Sequence, residues 1–96
     1  MSPPLELSSR DLGKAFRFCR KNANLTQQVV ADRSGFDPSY ISLLERGKIN
    51  NPTLVTLMRL AEALGVTGSH ILALAEVYAA GRSEVRSRRQ PARRQH

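Results

Sequence analysis

Cysteine, histidine and aromatic residues are scarce in this 96-residue chain. It contains one cysteine, two histidines, two tyrosines, three phenylalanines and no tryptophan. A single cysteine cannot form an intramolecular disulfide, and this one has no partner at the spacing of a zinc site. Because Cys19 falls on an apolar helical stripe, we expect a buried structural thiol. The shortage of aromatic residues also argues against a surface that stacks single-stranded RNA bases.

The short motifs that accompany catalysis are absent as well. His70 and His96 are far apart, and the eight acidic residues are scattered singly. The sequence has neither a glycine-rich phosphate loop nor a nucleophile elbow. We therefore expect no enzymatic activity, no cofactor, no metal site and no small-molecule ligand.

Long hydrophobic runs are lacking too. The longest apolar segments are far shorter than a bilayer requires, and the N-terminus does not place basic residues before an apolar stretch. No secretory signal and no membrane partner are expected. The simplest location is the cytoplasm, in a bacterial, phage or plasmid context.

Positive charge is abundant but unevenly distributed. Of the formal net charge of +7, residues 82–96 contribute +5 from six arginines and one glutamate, which leaves +2 for the other 81 residues. This basic segment has too few apolar residues to fold alone, so we predict a disordered tail that either contacts phosphates non-specifically or solubilises the protein. Residues 1–7 are predicted to be a flexible arm, and residues 8–81 the folded domain.

Residues 27–46 read QQVVADRSGFDPSYISLLER and predict two short helices joined by a tight turn. Thr26 and Asp37 are suited to cap the two helices, and Pro38 occupies a first-turn position that needs no N–H. Gly35 lies where the chain must reverse, because glycine accepts a positive φ. The apolar residues of both helices point one way, namely Val30, Ala31, Ile41 and Leu44. This is the pattern of a helix-turn-helix.

The second helix of this motif has a polar outer face. At 100° per residue, with Ile41 at the buried centre, the opposite side carries Ser39, Ser42, Leu43 and Arg46, and Tyr40 lies between the two faces. Serine serves donor or acceptor edges of bases, arginine favours guanine, and an apolar side chain meets a thymine methyl. The alternative is an ordinary solvated face. Agreement among the turn, the caps and the burial pattern favours a base-reading surface.

Motifs around this segment carry a family resemblance. They are Leu25, Thr26 and Gln27; Ala31; Gly35; Ser-Tyr-Ile-Ser at 39–42; Glu-Arg-Gly-Lys at 45–48; Asn-Pro-Thr at 51–53; and Leu-Ala-Glu-Ala-Leu-Gly at 60–65. In this order they resemble the Cro/CI-type (phage-repressor-like) helix-turn-helix family over residues 10–75. The resemblance implies an all-α, compact five-helix bundle, usually dimeric, that binds operator DNA through its third helix. Asn24 stands where the family usually has glycine, and Asn50 and Asn51 make the following loop one residue longer.

The resemblance further implies an ion pair between an arginine of the first helix and the glutamate of the Glu-Arg-Gly motif. We predict that Arg17 and Glu45 form this pair. Its role would be structural.

Residues beside the outer face are expected to hold the DNA backbone. The start of the motif's first helix offers N–H groups and a partial positive charge to a phosphate. There Gln27 either adds a hydrogen bond to the phosphate or braces the next helix, and Gln28 is the weaker candidate. The predicted DNA-binding residues are Gln27, Gln28, Ser39, Tyr40, Ser42, Leu43, Arg46, Lys48 and Asn50.

Helical periodicity predicts the other three helices. Ser8 and Asp11 form a capping-box pattern before an apolar stripe of Leu12, Ala15, Phe16, Cys19 and Ala23. Thr53 is suited to cap a fourth helix whose predicted apolar face is Leu54, Leu57, Met58, Ala61 and Leu64. A fifth helix, ending near Gly81 or extending toward Arg89, has more apolar surface than one stripe requires. We therefore predict a dimer interface at Ile71, Leu72, Leu74, Ala75 and Tyr78.

Two functions of different classes fit these features. The first is a sequence-specific homodimeric repressor of a palindromic operator in double-stranded DNA, with half-sites about 34 Å apart. The second is an antitoxin-type interaction module whose fifth helix and tail bind a toxin, with DNA binding secondary. The tail lacks the apolar anchors that such a partner surface needs, which favours the first. The operator sequence, and the choice between repression and activation, stay open.

Overall fold

The structure, a computed structural model, describes residues 7–93 and the side chains of residues 7–81. That part of the chain contains five α-helices and no strand: α1 (Ser9–Asn22), α2 (Gln27–Ser34), α3 (Pro38–Glu45), α4 (Leu54–Leu64) and α5 (Gly68–Arg93). The all-α class and the five-helix order predicted from the sequence are confirmed. The predicted arm at residues 1–7 lies outside the described residues, apart from Leu7.

Local capping signals set where the first four helices begin. Ser8 and Asp11 form the predicted capping box at α1. The side chains of Thr26, Asp37 and Thr53 each accept a hydrogen bond from a first-turn amide of α2, α3 and α4. These caps satisfy backbone donors that have no partner within the helix. All four predicted caps are therefore confirmed.

The core lies where α1 and α5 pack together and where α4 closes on α2 and α5. Its buried residues come from every helix: Ala15, Phe16, Cys19, Val30, Ala31, Ile41, Leu44, Leu57, Leu60, Ala61, Ala63, Leu64, Ile71 and Ala75. The Cys19 thiol is buried, as predicted, and this burial raises its pKa. A thiol with a raised pKa is a poor nucleophile, which fits a structural role.

Three predicted core positions are wrong. Ala23 caps the C-terminus of α1 and is exposed, because the helix ends one residue earlier. Leu54 and Met58 are 69% and 54% exposed. α4 instead buries the side that carries Leu57 and Leu60, since that side faces the rest of the bundle.

α5 is longer than its apolar part. It continues to Arg93, which follows the extension toward Arg89 predicted as the alternative to a helix that ends near Gly81, and passes it; residues 94–96 lie outside the described part. Arginine, glutamate and alanine have good helix propensity, and extending an existing helix avoids the cost of nucleation. The division of the chain into arm, domain and tail stays a prediction.

Glycine permits an unusually close approach of α1 to α3. A Cβ built on Gly13 would lie 2.4 Å from the Leu44 carbonyl oxygen and 2.9 Å from that of Glu45. The sequence analysis gave this glycine no role. It sets the distance between α1 and α3 and so positions α3.

Within residues 7–93, no single helix is long and apolar enough to cross a membrane. Taken together, α4 and the first part of α5 have the length and composition of a membrane span, but the two helices are bent by 99° relative to each other. Their buried sides form the core described above.

Candidate nucleic-acid interface

α3 presents the outer face predicted for it. Ile41 and Leu44 are buried beneath the helix, while Ser39, Leu43 and Arg46 are exposed and Ser42 is half-buried. The four residues Ser39, Ser42, Leu43 and Arg46 are called the outer face below. Asp37 caps this helix through its carboxylate, which accepts a hydrogen bond from the Ser39 amide.

Glu45 ties the end of α3 to two other helices. Its carboxylate accepts hydrogen bonds from Arg20 Nε and from Arg20 Nη2, the latter at 2.9 Å, and from Gln27 Nε2 at 3.1 Å. Arg20 also donates to the Leu25 carbonyl at 2.8 Å. The hydrogen bond with Glu45 is the main cause that raises the pKa of Arg20. Within the described residues, no buried side-chain nitrogen or oxygen atom of this cluster lacks a hydrogen-bond partner.

The predicted partner of Glu45 is wrong. Arg17 is exposed on α1, and Arg20, one turn further along, makes the ion pair. The two arginines are three residues apart and lie on neighbouring parts of the same helix surface. Gly13, on the same helix, packs directly against the backbone of Leu44 and Glu45, so α1 and the end of α3 are close together there.

The two glutamines of α2 have different surroundings. Gln27 braces α3 through Glu45, which is one of the two roles predicted for it. Gln28 is exposed and donates from Nε2 to Asp32 at 3.0 Å. Both lie in the first turn of α2, where helix geometry leaves the backbone N–H groups without partners inside the helix and the Thr26 side chain binds that of Val29.

Tyr40 is half-buried and stacks on Phe36 of the α2–α3 turn. Their ring centroids are 5.0 Å apart, with planes inclined by 26°. Burial raises the pKa of the Tyr40 hydroxyl. The phenol is thus a neutral hydrogen-bonding group at the edge of the outer face.

The loop after α3 returns toward the start of α1. Gly47 has φ of 75°, and a Cβ there would lie 2.9 Å from the Arg10 Cα. Lys48 is exposed. Asn50 is exposed and accepts a hydrogen bond from the Ser9 hydroxyl at 3.0 Å. Lys48 and Asn50 therefore lie in a loop that is held against the first turn of α1.

The five predicted dimer-interface residues are not all at the surface. Ile71 and Ala75 have 0% exposure, because this stripe of α5 covers α1 within the protomer. Leu74 and Tyr78 are partly buried against the same core. Only Leu72 is exposed, at 37%. Ile71 and Ala75 are thus corrected to core residues.

Another apolar surface lies on α4, and two of its residues, Leu54 and Met58, were predicted to be in the core. Leu54, Val55 and Met58 are between 54% and 69% exposed. They line an open groove of about 570 Å³ together with Val66 of the α4–α5 turn and Gly68 at the start of α5. We call Leu54, Val55 and Met58 the α4 surface. Contiguous exposed apolar side chains of this kind mark interaction sites more often than isolated ones do.

Comparison with known proteins places this geometry in a family. The family profile described as "Helix-turn-helix" matches residues 16–71, which is more than half of the chain. The chain is 50% identical over 60 residues to the uncharacterized HTH-type transcriptional regulator y4dJ of Sinorhizobium fredii, covering 62% of this chain and 74% of that one.

Two further similarities extend the comparison. The competence pilus inhibition repressor of Acinetobacter baylyi is 42% identical over 66 residues, covering 69% of this chain and 59% of that repressor's length. The crystal structure of the clp gene regulator ClgR from Corynebacterium glutamicum superimposes with a TM-score of 0.86 at 27% identity, over 97% of this chain and 98% of that one. The chain therefore belongs to the Cro/CI-type helix-turn-helix family of transcriptional regulators.

Proposed function

We propose that the protein is a sequence-specific repressor that acts as a homodimer on a palindromic operator, with α3 of each copy in the major groove. The observation that carries this proposal is the outer face of α3, exposed on a helix whose end is fixed by the buried Arg20–Glu45–Gln27 cluster. Rigid support matters, because base readout requires donors and acceptors held in register with the groove. The named repressor and regulator among its relatives support the same role.

The outer face supplies the chemistry of base recognition. Arg46 is suited to the O6 and N7 acceptors of guanine, Ser39 and Ser42 to either donor or acceptor edges, and Leu43 to the methyl group of thymine. In the free protein Arg46 Nε makes only a long 3.4 Å contact to the Ser42 carbonyl. Turning the Arg46 guanidinium toward DNA therefore breaks only this weak hydrogen bond.

The DNA backbone is held by groups around that face. The α2 N-terminus, where Gln27 and Gln28 lie, offers amides and a partial positive charge to a phosphate. Gln27 has a second amide N–H besides the one bound to Glu45, so it can brace α3 and meet the phosphate together. Tyr40, Lys48 and Asn50 complete the set of positioning contacts, which add affinity without reading sequence.

The α4 surface is the proposed contact between the two copies. It offers three adjacent side chains, each more than half exposed, whereas Leu72 is the only exposed member of the interface first predicted on α5. A small domain gains stability from burying such a surface against a second copy. Since bacterial DNA is in the cytoplasm, the proposal also places the protein there.

The α4 surface also gives a reason to keep the second function. An antitoxin-type module would use an exposed apolar surface to bind a different protein. Co-purification of a small protein in stoichiometric amount, released by substitutions in the α4 surface, would favour that function over the homodimer.

Arg46→Ala tests the proposal at the outer face. We expect binding to a cognate duplex to weaken by roughly tenfold or more, since one bidentate arginine–guanine contact contributes about 1–3 kcal/mol. Fluorescence anisotropy at several salt concentrations measures the effect.

Lys48→Ala is the matched comparison. It should weaken all duplexes alike and reduce the salt slope by about one, as loss of a phosphate contact does. If Arg46→Ala binds like the wild type at every salt concentration, the outer face does not read DNA as proposed.

A further inference from the structure

An arginine of α4 reaches across the turn between α2 and α3. Arg59 Nη2 donates to the Ser34 carbonyl at 2.6 Å, at the C-terminal end of α2. A Cβ on Gly35 would lie 2.8 Å from the same nitrogen. Glycine at this turn therefore serves two purposes: it accepts a φ of 80°, and it leaves space for the guanidinium.

The same guanidinium begins a stack that leads into α3. Arg59 Cζ lies 4.4 Å from the centroid of the Phe36 ring, within the range of a cation–π contact. Phe36 in turn stacks on Tyr40, which belongs to the first turn of α3. The order Arg59–Phe36–Tyr40 thus connects α4, the turn and the N-terminal end of α3.

The other end of α3 is fixed separately. Glu45, its last residue, is bound by Arg20 and Gln27, 25 and 18 residues away in the chain. An eight-residue helix has little stability of its own, so its direction depends on tertiary contacts at its ends. The Glu45 cluster holds one end, and the stack from Arg59 holds the other.

We propose that Arg59 is a positioning residue for DNA recognition, which sets the angle of α3 through Phe36 and Tyr40 without touching the operator. This inference rests on the proposed function. A change of angle displaces Ser39 and the rest of the outer face from the base edges. It therefore reduces sequence discrimination more than it reduces electrostatic attraction to the DNA backbone.

The test is Arg59→Gln in the full chain, measured on two duplexes: one selected by the wild type from random-sequence DNA, and one of unrelated sequence. We expect affinity for the selected duplex to fall about tenfold, as loss of the cation–π and charge-assisted contacts suggests. Affinity for the unrelated duplex should change much less. The salt slope should stay that of the wild type, because no phosphate contact is lost.

Arg33→Gln is the matched control. Arg33 is also exposed and also donates to a backbone carbonyl, that of Ala63 at 3.2 Å, so its replacement removes the same charge and the same kind of bond. It should leave the ratio between the two duplexes unchanged. Because Arg59 also lines the groove of the α4 surface, sedimentation must show the same oligomeric state for both variants.

Further variants test the proposal if Arg59→Gln does not fold. Phe36→Leu should reduce discrimination in the same direction, and Arg59→Lys should keep part of the wild-type discrimination. Where Arg59→Gln does fold, its combination with Phe36→Leu should be non-additive. An unchanged ratio, a salt slope lower by about one, or an equal effect of Arg33→Gln would each overturn the inference. A wild-type protein that binds no duplex would instead overturn the proposed function.

Discussion

Glu45 has a side chain that is 2% exposed, and it lies at the end of the helix that we propose reads DNA. A carboxylate taken out of water is costly unless charged or polar donors surround it, and here Arg20 and Gln27 do so. The position of the C-terminal end of α3 therefore depends on α1 through the Arg20–Glu45 ion pair. The family resemblance implied that an arginine of α1 pairs with Glu45. It could not distinguish Arg17 from Arg20, because that choice depends on how α1 and α3 pack.

Arg20→Ala tests this dependence at the residue scale. Removing one partner leaves the Glu45 carboxylate buried with only Gln27, and the expected loss in the free energy of unfolding is about 3–5 kcal/mol. Urea unfolding followed by circular dichroism at neutral pH measures it. Arg17→Ala, which changes an exposed arginine on the same helix, should stay within about 0.5 kcal/mol of the wild type. Equal losses in the two variants would contradict the assigned pair.

At the scale of the elements, the helix starts were predictable because each depends on a few adjacent residues. Ser8 with Asp11, Thr26, Asp37 and Thr53 satisfy first-turn amides wherever the helices pack. The faces of α4 and α5 were less predictable. An apolar residue on these helices can cover the protomer's own core or remain at the surface, and only the assembled bundle decides which.

The distance between α1 and α3 could not be predicted from the sequence, for the same reason. Gly13 lies inside a helix, where glycine is disfavoured by about 1 kcal/mol relative to alanine. The reason for a glycine at this position is the packing of the Leu44 and Glu45 carbonyl oxygens against it, which only the structure shows.

Gly13→Ala should therefore destabilise the protein despite the better helix propensity of alanine. Pushing α3 away from α1 has an expected net cost of about 1–3 kcal/mol, in the range of overpacked cores. Gly81→Ala in α5 is the control, since a Cβ there meets no atom of another described segment within 4 Å, and it should stabilise by up to about 1 kcal/mol. Thermal unfolding of both variants measures these two changes in stability. A Gly13→Ala protein as stable as the Gly81→Ala protein would contradict the close contact.

For the whole molecule, two properties bear on assembly and on DNA binding. The charge of residues 1–81 is only +2, so under the proposed function we expect the attraction of that part to DNA to come from individual groups such as Arg46, Lys48 and the α2 N-terminus. The α4 surface leaves apolar side chains exposed on the same domain. If both proposals hold, one copy should bind DNA weakly and two copies together should bind more tightly.

Val55→Glu tests the assembly. A charge at this 67% exposed position should cost the single copy little, but it should disrupt a contact that buries the α4 surface. Sedimentation equilibrium should show a dimer for the wild type and a monomer for this variant. Val77→Glu, on α5 at a similarly exposed 65%, should leave the dimer intact. Dissociation by Val77→Glu alone would move the interface to α5.

We propose that two copies of the outer face of α3 read one operator. Selection of bound fragments from a pool of random-sequence duplexes by the full chain tests this. We expect an enriched motif made of two inverted half-sites whose centres are about one helical turn, ~34 Å, apart. Enrichment of no motif, or of a single site without two-fold symmetry, would contradict it.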